Sequence, residues 1–479
     1  GYFRKAVETL TERNPNPYDG EPYYNLGWSC LMQDKTDEAY DAFFKSAWNA
    51  AWQDAAYYNL AAIDCRRGNF KKALDLIDRS LVRNWHHHKA RQLKVSILRH
   101  LGRKEEAFDL IAESLKIDRF NMGCRFEQYL LTGDDHVLKE MQRLMHGAAH
   151  VYIEYALDFA QAGLYDEAIN LLGGYAATQG EVYPMVHYAL GYCHSRKGDT
   201  VKALEYYKKA EQDDHSYCFP NRIEEVLVLQ DAMKENHEAC AKAAYALGNF
   251  WYAARQYDNA IACWEASAAI DPAFPTVWRN LSLAYYNKRN DPQKAVETLE
   301  KAYRLDESDA RILMELDQPQ AERLAFLEAH PAETESRDDL SIERITLYNQ
   351  LGRYEEAKAL IAARKFHPWE GGEGKITGQY TICHVELAKI ALREHRYADA
   401  LALLQATDQY PYNLGEGKLI NAEENDIWYY KGLAYRGLGD EENAKLWLHK
   451  ATQGSAEPQQ AFFYNDAQPD KIFYQGLAW

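Results

Sequence analysis

Two short stretches of this 479-residue chain carry the side chains best suited to chemistry. One reads His367-Pro368-Trp369-Glu370-Gly371-Gly372-Glu373-Gly374-Lys375, the other Tyr410-Pro411-Tyr412-Asn413-Leu414-Gly415-Glu416-Gly417-Lys418. They align as Pro-aromatic-x-x-Gly-Glu-Gly-Lys, with Pro368 and Pro411 43 residues apart. Proline sets a rigid turn, and the glycines after it leave backbone free to adopt positive φ. A ring face, a carboxylate and exposed amides side by side suit recognition of a sugar or a peptide. Glu370, Glu373 and Glu416 are the carboxylates in this setting. Glycoside hydrolysis would need two of them roughly 5–10 Å apart across a cleft. The structural alternative is that the loops cap their hairpins and pack on each other, with Trp369 and Tyr412 as buried anchors. Neither is a phosphate loop, because Ile376 and Leu419 stand where Ser or Thr would follow the lysine.

A strict period must position these loops. Ala39, Ala73 and Ala107 are spaced by 34, as are Ser46, Ser80 and Ser114. One unit reads Tyr23-Tyr24-Asn25-Leu26-Gly27 and then Ala39 and Phe43; the next reads Tyr57-Tyr58-Asn59-Leu60-Ala61 and then Ala73 and Ile77. Small residues let two helices approach closely, and large ones fill the space beside them. Gly68, Gly102, Gly163 and Gly198 fall in the turns between helices, where left-handed backbone is cheap only for glycine. Later copies run from Leu190-Gly191 to Ala203, from Leu247-Gly248 to Ala260, from Trp278 and Leu281 to Ala295, and from Trp428 and Gly432 to Ala444. Weaker ones centre on Ala168, Ala357 and Ala400. The intervals Ala357–Ala400 and Ala400–Ala444 lengthen to 43 and 44, which places one loop insert in each. Stretches 117–145, 213–236 and 309–333 read as helical but degenerate.

These positions resemble the tetratricopeptide repeat family. The resemblance implies an all-α, right-handed superhelical solenoid of helical hairpins with an inner groove, each hairpin burying its apolar face on its neighbours. It divides as residues 1–308, a solenoid that starts mid-repeat and has degenerate units near 117–145 and 213–236, and 309–479, further hairpins with the two inserts and a C-terminal capping helix drawn from 461–464 and 472–474. The family's inner groove is lined by the first helix of each unit. This places Tyr24, Tyr58, Tyr188, Tyr245 and Tyr429 along it, with Tyr192, Tyr252 and Tyr286 about one turn further on. Such a groove would take an extended peptide or a helix, although a stripe of rings at helical spacing also serves as core. The carboxylate clamp of chaperone-binding relatives is not met: Asn59 and Lys89 match, but Tyr24, Trp28 and Leu93 do not. Residues 3–10 read as the second helix of a unit whose first helix is missing, which suggests a piece of a longer protein. The Pro-Trp-Glu-Gly-Gly-Glu-Gly-Lys loop further resembles the repeat region of large bacterial proteins with an N-terminal mutarotase-like domain, which implies a link to carbohydrate metabolism.

Composition bounds the rest. The chain carries 55 Lys+Arg and 72 Asp+Glu, a net charge of −17, which argues against nucleic-acid binding. Arg66, Arg67, Arg79, Arg83, Lys89, Arg91, Lys94, Arg99, Arg103 and Lys104 form a local exception that suits an acidic partner segment or a solvated helix face. No apolar run reaches membrane length. The eight cysteines are scattered and are expected to be reduced thiols of a cytoplasmic protein. Trp85-His86-His87-His88 and Asp213-Asp214-His215 lack the spacing of a metal site, and no cofactor motif or nucleophile–base pair is visible. The expectation is a non-catalytic scaffold that binds a protein, a peptide or a neighbouring domain of its own chain. Carbohydrate recognition through the inserts is the alternative, and self-association a third reading.

Overall fold

The alanines that set the period are all driven inside. Ala39, Ala73, Ala107, Ala168, Ala203, Ala260, Ala357, Ala400 and Ala444 each have 0% exposure in the computed structural model, which describes residues 1–16, 18–236, 239–307, 309, 319–420, 422–458 and 469–479. Each lies on the second helix of a hairpin, where a larger side chain would hold the first helix away. The partner position tightens the fit further. A Cβ on Gly27 would stand 2.7 Å from the Phe43 ring, and one on Gly191 or Gly248 would stand 2.4 Å from Tyr207 or Trp264. Turn glycines Gly68, Gly102, Gly163 and Gly198 take φ of 76°, 73°, 77° and 84°, as the reading of the turns requires. The described residues are all-α, without a strand, and the helices form successive hairpins.

The chain divides into two compact units, Gly1–Thr298 and Leu299–Trp479. In the first, the hairpins Glu21–Leu31 with Thr36–Ser46, Gln53–Arg66 with Phe70–Arg83, and His88–His100 with Lys104–Ile117 follow the period. The degenerate stretch 117–145 becomes a short hairpin, Met122–Thr132 and Asp135–Met145. Regular pairs resume with Ala149–Gln161 and Tyr165–Ala176, then Pro184–Arg196 and Thr200–Gln212. The stretch 213–236 yields a single helix, Ile223–Glu235, after a long connection.

Hairpins far apart in sequence meet inside this unit. The Gln53–Arg66 helix touches Ala149–Gln161. Arg66 donates to the Gln161 carbonyl at 2.6 Å, and the Gln161 amide donates to Asn59 at 3.1 Å. Lys89 bonds Asp158 at 2.7 Å, Arg196 bonds Asp34 at 3.0 Å, and Gly163 lies against the Arg66 backbone. Beside this junction, Arg99 bridges fully buried Glu127 at 2.6 Å and Glu167 at 2.6 Å, and His100 reaches Glu167 at 2.9 Å.

The second unit contains Gln320–Ala329 and Pro331–Ser336. The pairs Asp338–Gln350 with Tyr354–Ala363, Lys375–Arg393 with Tyr397–Ala406, and Asn425–Gly437 with Glu441–Ala451 follow, and Pro469–Ala478 ends it. The inserts are the connections that precede Lys375–Arg393 and Asn425–Gly437. Pro469–Ala478 lies on the last hairpin, where the Tyr474 and Tyr430 hydroxyls bond at 2.9 Å. The proposed contribution of Ala461–Tyr464 to this cover falls outside the described residues, as do residues 310–318 of the stretch 309–333.

Candidate functional site

The two inserts hold each other. The Phe366 amide donates to the Asn413 carbonyl at 2.8 Å. The Asn413 side-chain amide donates to the Ile361 and Arg364 carbonyls, both at 2.8 Å, closing the end of Tyr354–Ala363. Gly415, at φ 76°, sits so near Pro368 that a Cβ would be 2.7 Å from its ring. Glu416 accepts the Gly374 amide at 2.8 Å, and Glu373 accepts the Gly371 amide at 2.8 Å. These two carboxylates hold turns, which is the work a short polar side chain does in a glycine-rich loop. Burial raises the Glu416 carboxyl above its ordinary pKa, against the Gly374 hydrogen bond that lowers it.

The aromatic anchors differ from expectation. Trp369 covers Gly372, with the Lys375 ammonium 5.5 Å over its ring, yet is 38% exposed; Tyr412 is 89% exposed. The buried anchors are Leu414 at 0% and Phe366 at 2%. The loops turn these aliphatic and phenyl groups inward because neither needs a hydrogen-bond partner. Glu370 and Gly417 stand exposed. Lys418 is tied back to the Thr407 carbonyl at 2.7 Å and to Glu424 at 2.6 Å.

Beside the inserts, the second unit opens a cleft of about 430 Å³. One wall is a face of Lys375–Arg393, bearing Thr377, Gly378, Thr381, Ile382 and Val385. The opposite side brings Tyr410 and Leu419 from the second insert, Asp426 and Ile427 from the next first helix, and Lys471 and Tyr474 from Pro469–Ala478. Gly374 connects this cleft to the loop residues singled out from sequence. Lys471 bonds Asp426 at 2.7 Å and Asp470 at 3.4 Å. Burial raises the Glu424 carboxyl although Lys418 opposes it. The sequence signal for this wall was present as spacing: positions 377, 378, 381, 382 and 385 form one helical stripe. The run Glu423-Glu424-x-Asp426 marked the acidic side.

The tyrosines do not form an open groove. Tyr188 is fully buried with its hydroxyl donating to Glu211 at 2.7 Å, and Tyr58 and Tyr245 are 7% and 6% exposed. Tyr24 lies against Trp52 and Phe43 with ring centroids 4.8 and 5.5 Å away, and Tyr252 lies against Trp264 at 5.4 Å. Tyr192 lines a small cavity with Arg66 and Asp34, Tyr286 is exposed, and Tyr429 packs on Tyr474. The correction has a physical cause. Around Tyr58 the inner side is filled by the Ala149–Gln161 helix of the same unit. The two clamp-matching residues serve that contact, Asn59 with Gln161 and Lys89 with Asp158. The basic stretch is likewise paired within the chain, Arg91 with Glu113 at 3.0 Å and Lys94 with Asp78 at 2.7 Å.

Among the described residues no group of three or more His, Cys, Asp or Glu is placed to hold a metal ion, and no helix is long and apolar enough to cross a membrane. Comparison with known proteins finds the tetratricopeptide repeat at residues 155–217, 241–310 and 385–458. The chain is similar to YrrB, a TPR protein with an unusual peptide-binding site. The identity is 15% over 50% of this chain and 98% of that one, with a TM-score of 0.20. It is similar to yeast Tom70 at 13% identity over 90% and 96% of the two chains, with a TM-score of 0.25. A MamA segment from Desulfovibrio magneticus RS-1 matches at 18% identity over 34% and 96%, with a TM-score of 0.18.

Proposed function

We propose that this chain, which carries tetratricopeptide repeats over those three stretches, is a non-catalytic protein-interaction module. Its second unit receives an extended segment of a protein partner, or of a neighbouring domain, in the cleft beside the inserts. One observation carries the reading. The cleft is open and walled by Ile382, Val385, Leu419, Ile427 and Tyr474, with polar groups at its edge. Of the tyrosines expected to serve this purpose in the first unit, Tyr58, Tyr188 and Tyr245 are buried, and Tyr24 and Tyr252 are packed against neighbouring rings. A concave, mostly apolar surface with a few placed polar groups is the general form of a recognition site. The inserts hold the wall in place: Gly374, fixed by Glu416, starts the helix that carries Ile382 and Val385.

Gly378 provides the test. It lies mid-wall, and a Cβ there would meet nothing within 4 Å. Gly378→Leu therefore projects into the cleft from a position with room at the Cβ, while improving helix propensity by about 0.5–1 kcal/mol. Peptides selected from a random displayed library against the intact chain are expected to bind Gly378→Leu about tenfold or more weakly, a loss of about 1.4 kcal/mol. The melting temperature should stay level or rise. Exposed Tyr286→Ala should bind as the wild type does. Equal binding to wild type and Gly378→Leu would remove the cleft as the docking site.

A further inference from the structure

The charge of the cleft specifies its occupant. Glu386, Glu423, Glu424, Asp426 and Asp470 line it, against Lys471 as the lining ammonium. Neighbouring cations offset part of this: Lys389 pairs with Glu386 at 2.7 Å and Lys418 with Glu424 at 2.6 Å. Lys471 serves both Asp426 and Asp470. Three ammonium groups thus face five carboxylates, and Glu423 is the one left without a cation among these pairs. Its Oε1 accepts the Ser455 amide at 3.2 Å, while its Oε2 is buried with no hydrogen-bond partner among the described residues. The Glu423 side chain is only partly buried and lines the cleft, so a cation entering there meets a carboxylate that no lysine of these pairs neutralises.

We infer that the cleft accepts a lysine or arginine side chain of the partner segment, its cationic head against Glu423 and its aliphatic stem along Ile382, Val385 and Tyr474. The inference rests on the docking reading above and adds the chemistry of the ligand. A long basic side chain satisfies both parts of the site, because its methylenes cover apolar surface while its terminus stays polar. An acidic or neutral polar segment would leave the negative excess as it is. A wholly apolar one would desolvate the Glu423 carboxylate with no counter-charge. Charge complementarity of this kind selects partners more than it adds affinity.

The test uses the intact chain, the peptides selected above and Glu423→Gln, which keeps the acceptor for Ser455 and removes the charge. Cleft-dependent peptides should be enriched in Lys or Arg. Replacing that lysine by norleucine should weaken binding to wild type about tenfold and to Glu423→Gln less than about twofold, since a charged hydrogen bond lost with its partner absent has little left to lose. If the peptides depend on Gly378 but lack a basic residue, or if norleucine costs the same in both proteins, the cation inference falls and the docking reading stands. If peptide binding ignores Gly378→Leu, or no cleft-dependent binder emerges, both fall together. If free spermidine displaces the peptides and binds as tightly as they do, the site takes a small amine and the partner-segment form is overturned.

Discussion

Close approach between the helices of one hairpin can be tested by a matched pair of glycine substitutions in the first unit. Gly191 lies mid-helix in Pro184–Arg196, and a Cβ there would stand 2.4, 2.5 and 3.0 Å from three atoms of the Tyr207 ring. Ordinary carbon–carbon contact is about 3.5–4.0 Å, so the ring would have to retreat by about 1 Å. It has nowhere to go: Tyr207 is fully buried and its hydroxyl is bonded to Asp231. Overpacking of this kind costs about 1–3 kcal/mol, and the helical preference of alanine returns about 0.5–1 kcal/mol. Gly191→Ala is therefore expected to destabilise the unit by about 1–2 kcal/mol. Gly174, in the helix Tyr165–Ala176, is exposed and has nothing within 4 Å of a built Cβ. Gly174→Ala should stabilise by about 0.5–1 kcal/mol from the backbone term alone. Urea unfolding followed by far-ultraviolet circular dichroism reads both, and the signs should be opposite. A neutral or stabilising Gly191→Ala would refute the claim that ring contact, and not local backbone preference, requires glycine there.

Two further outcomes follow from the geometry. Burial alone would raise the Glu167 carboxyl, but hydrogen bonds from His100 and Arg99 reverse this and hold it down at about 2, from 4.5. A depressed carboxyl stabilises the fold above its unfolded pKa and loses that contribution as pH falls through its folded value. Up to about 3 kcal/mol should thus disappear between about pH 4.5 and 2. Glu167→Gln should flatten the acid limb of a thermal-stability profile over that range, and an unchanged limb would assign the acid sensitivity elsewhere. Gly415→Ala meets both a positive φ of 76° and the Pro368 ring. It should lower the stability of the second unit by about 1–2 kcal/mol in urea unfolding, and a wild-type midpoint would contradict the interlocked inserts.

The hairpins were legible because their cause is local. An alanine every 34 residues marks where two helices touch, and a glycine between them marks the turn. Both appear in the structure, at Ala39 and Ala73 and at Gly68 and Gly102. Side-chain direction at Tyr58 and Tyr188 was legible only as a face. The helix that bears Tyr58 meets one about a hundred positions away, and Tyr188 is covered by Tyr207, Glu211 and His215 of its own hairpin and the connection after it; no period encodes either. Residue types named Trp369 and Tyr412 as anchors, but in a loop without periodicity a large ring carries no directional signal. Leu414, whose burial is complete, looked like an ordinary spacer. The cleft stripe on Lys375–Arg393 was spaced for reading, yet a stripe of threonine, glycine and isoleucine is ambiguous until its neighbours leave it open.

The bonds from Arg66 to Gln161 and from Lys89 to Asp158 change how the first unit can come apart. An array joined only to nearest neighbours melts from its ends, and its free energy grows by equal increments with each added copy. Here a strand of chain about a hundred residues long is cinched at both ends. Forming it must await distant segments finding each other, which slows assembly, and releasing any member loosens all of them. Excising the pair Met122–Met145 would therefore cost more than its own share, because it is the spacer that lets the cinch close.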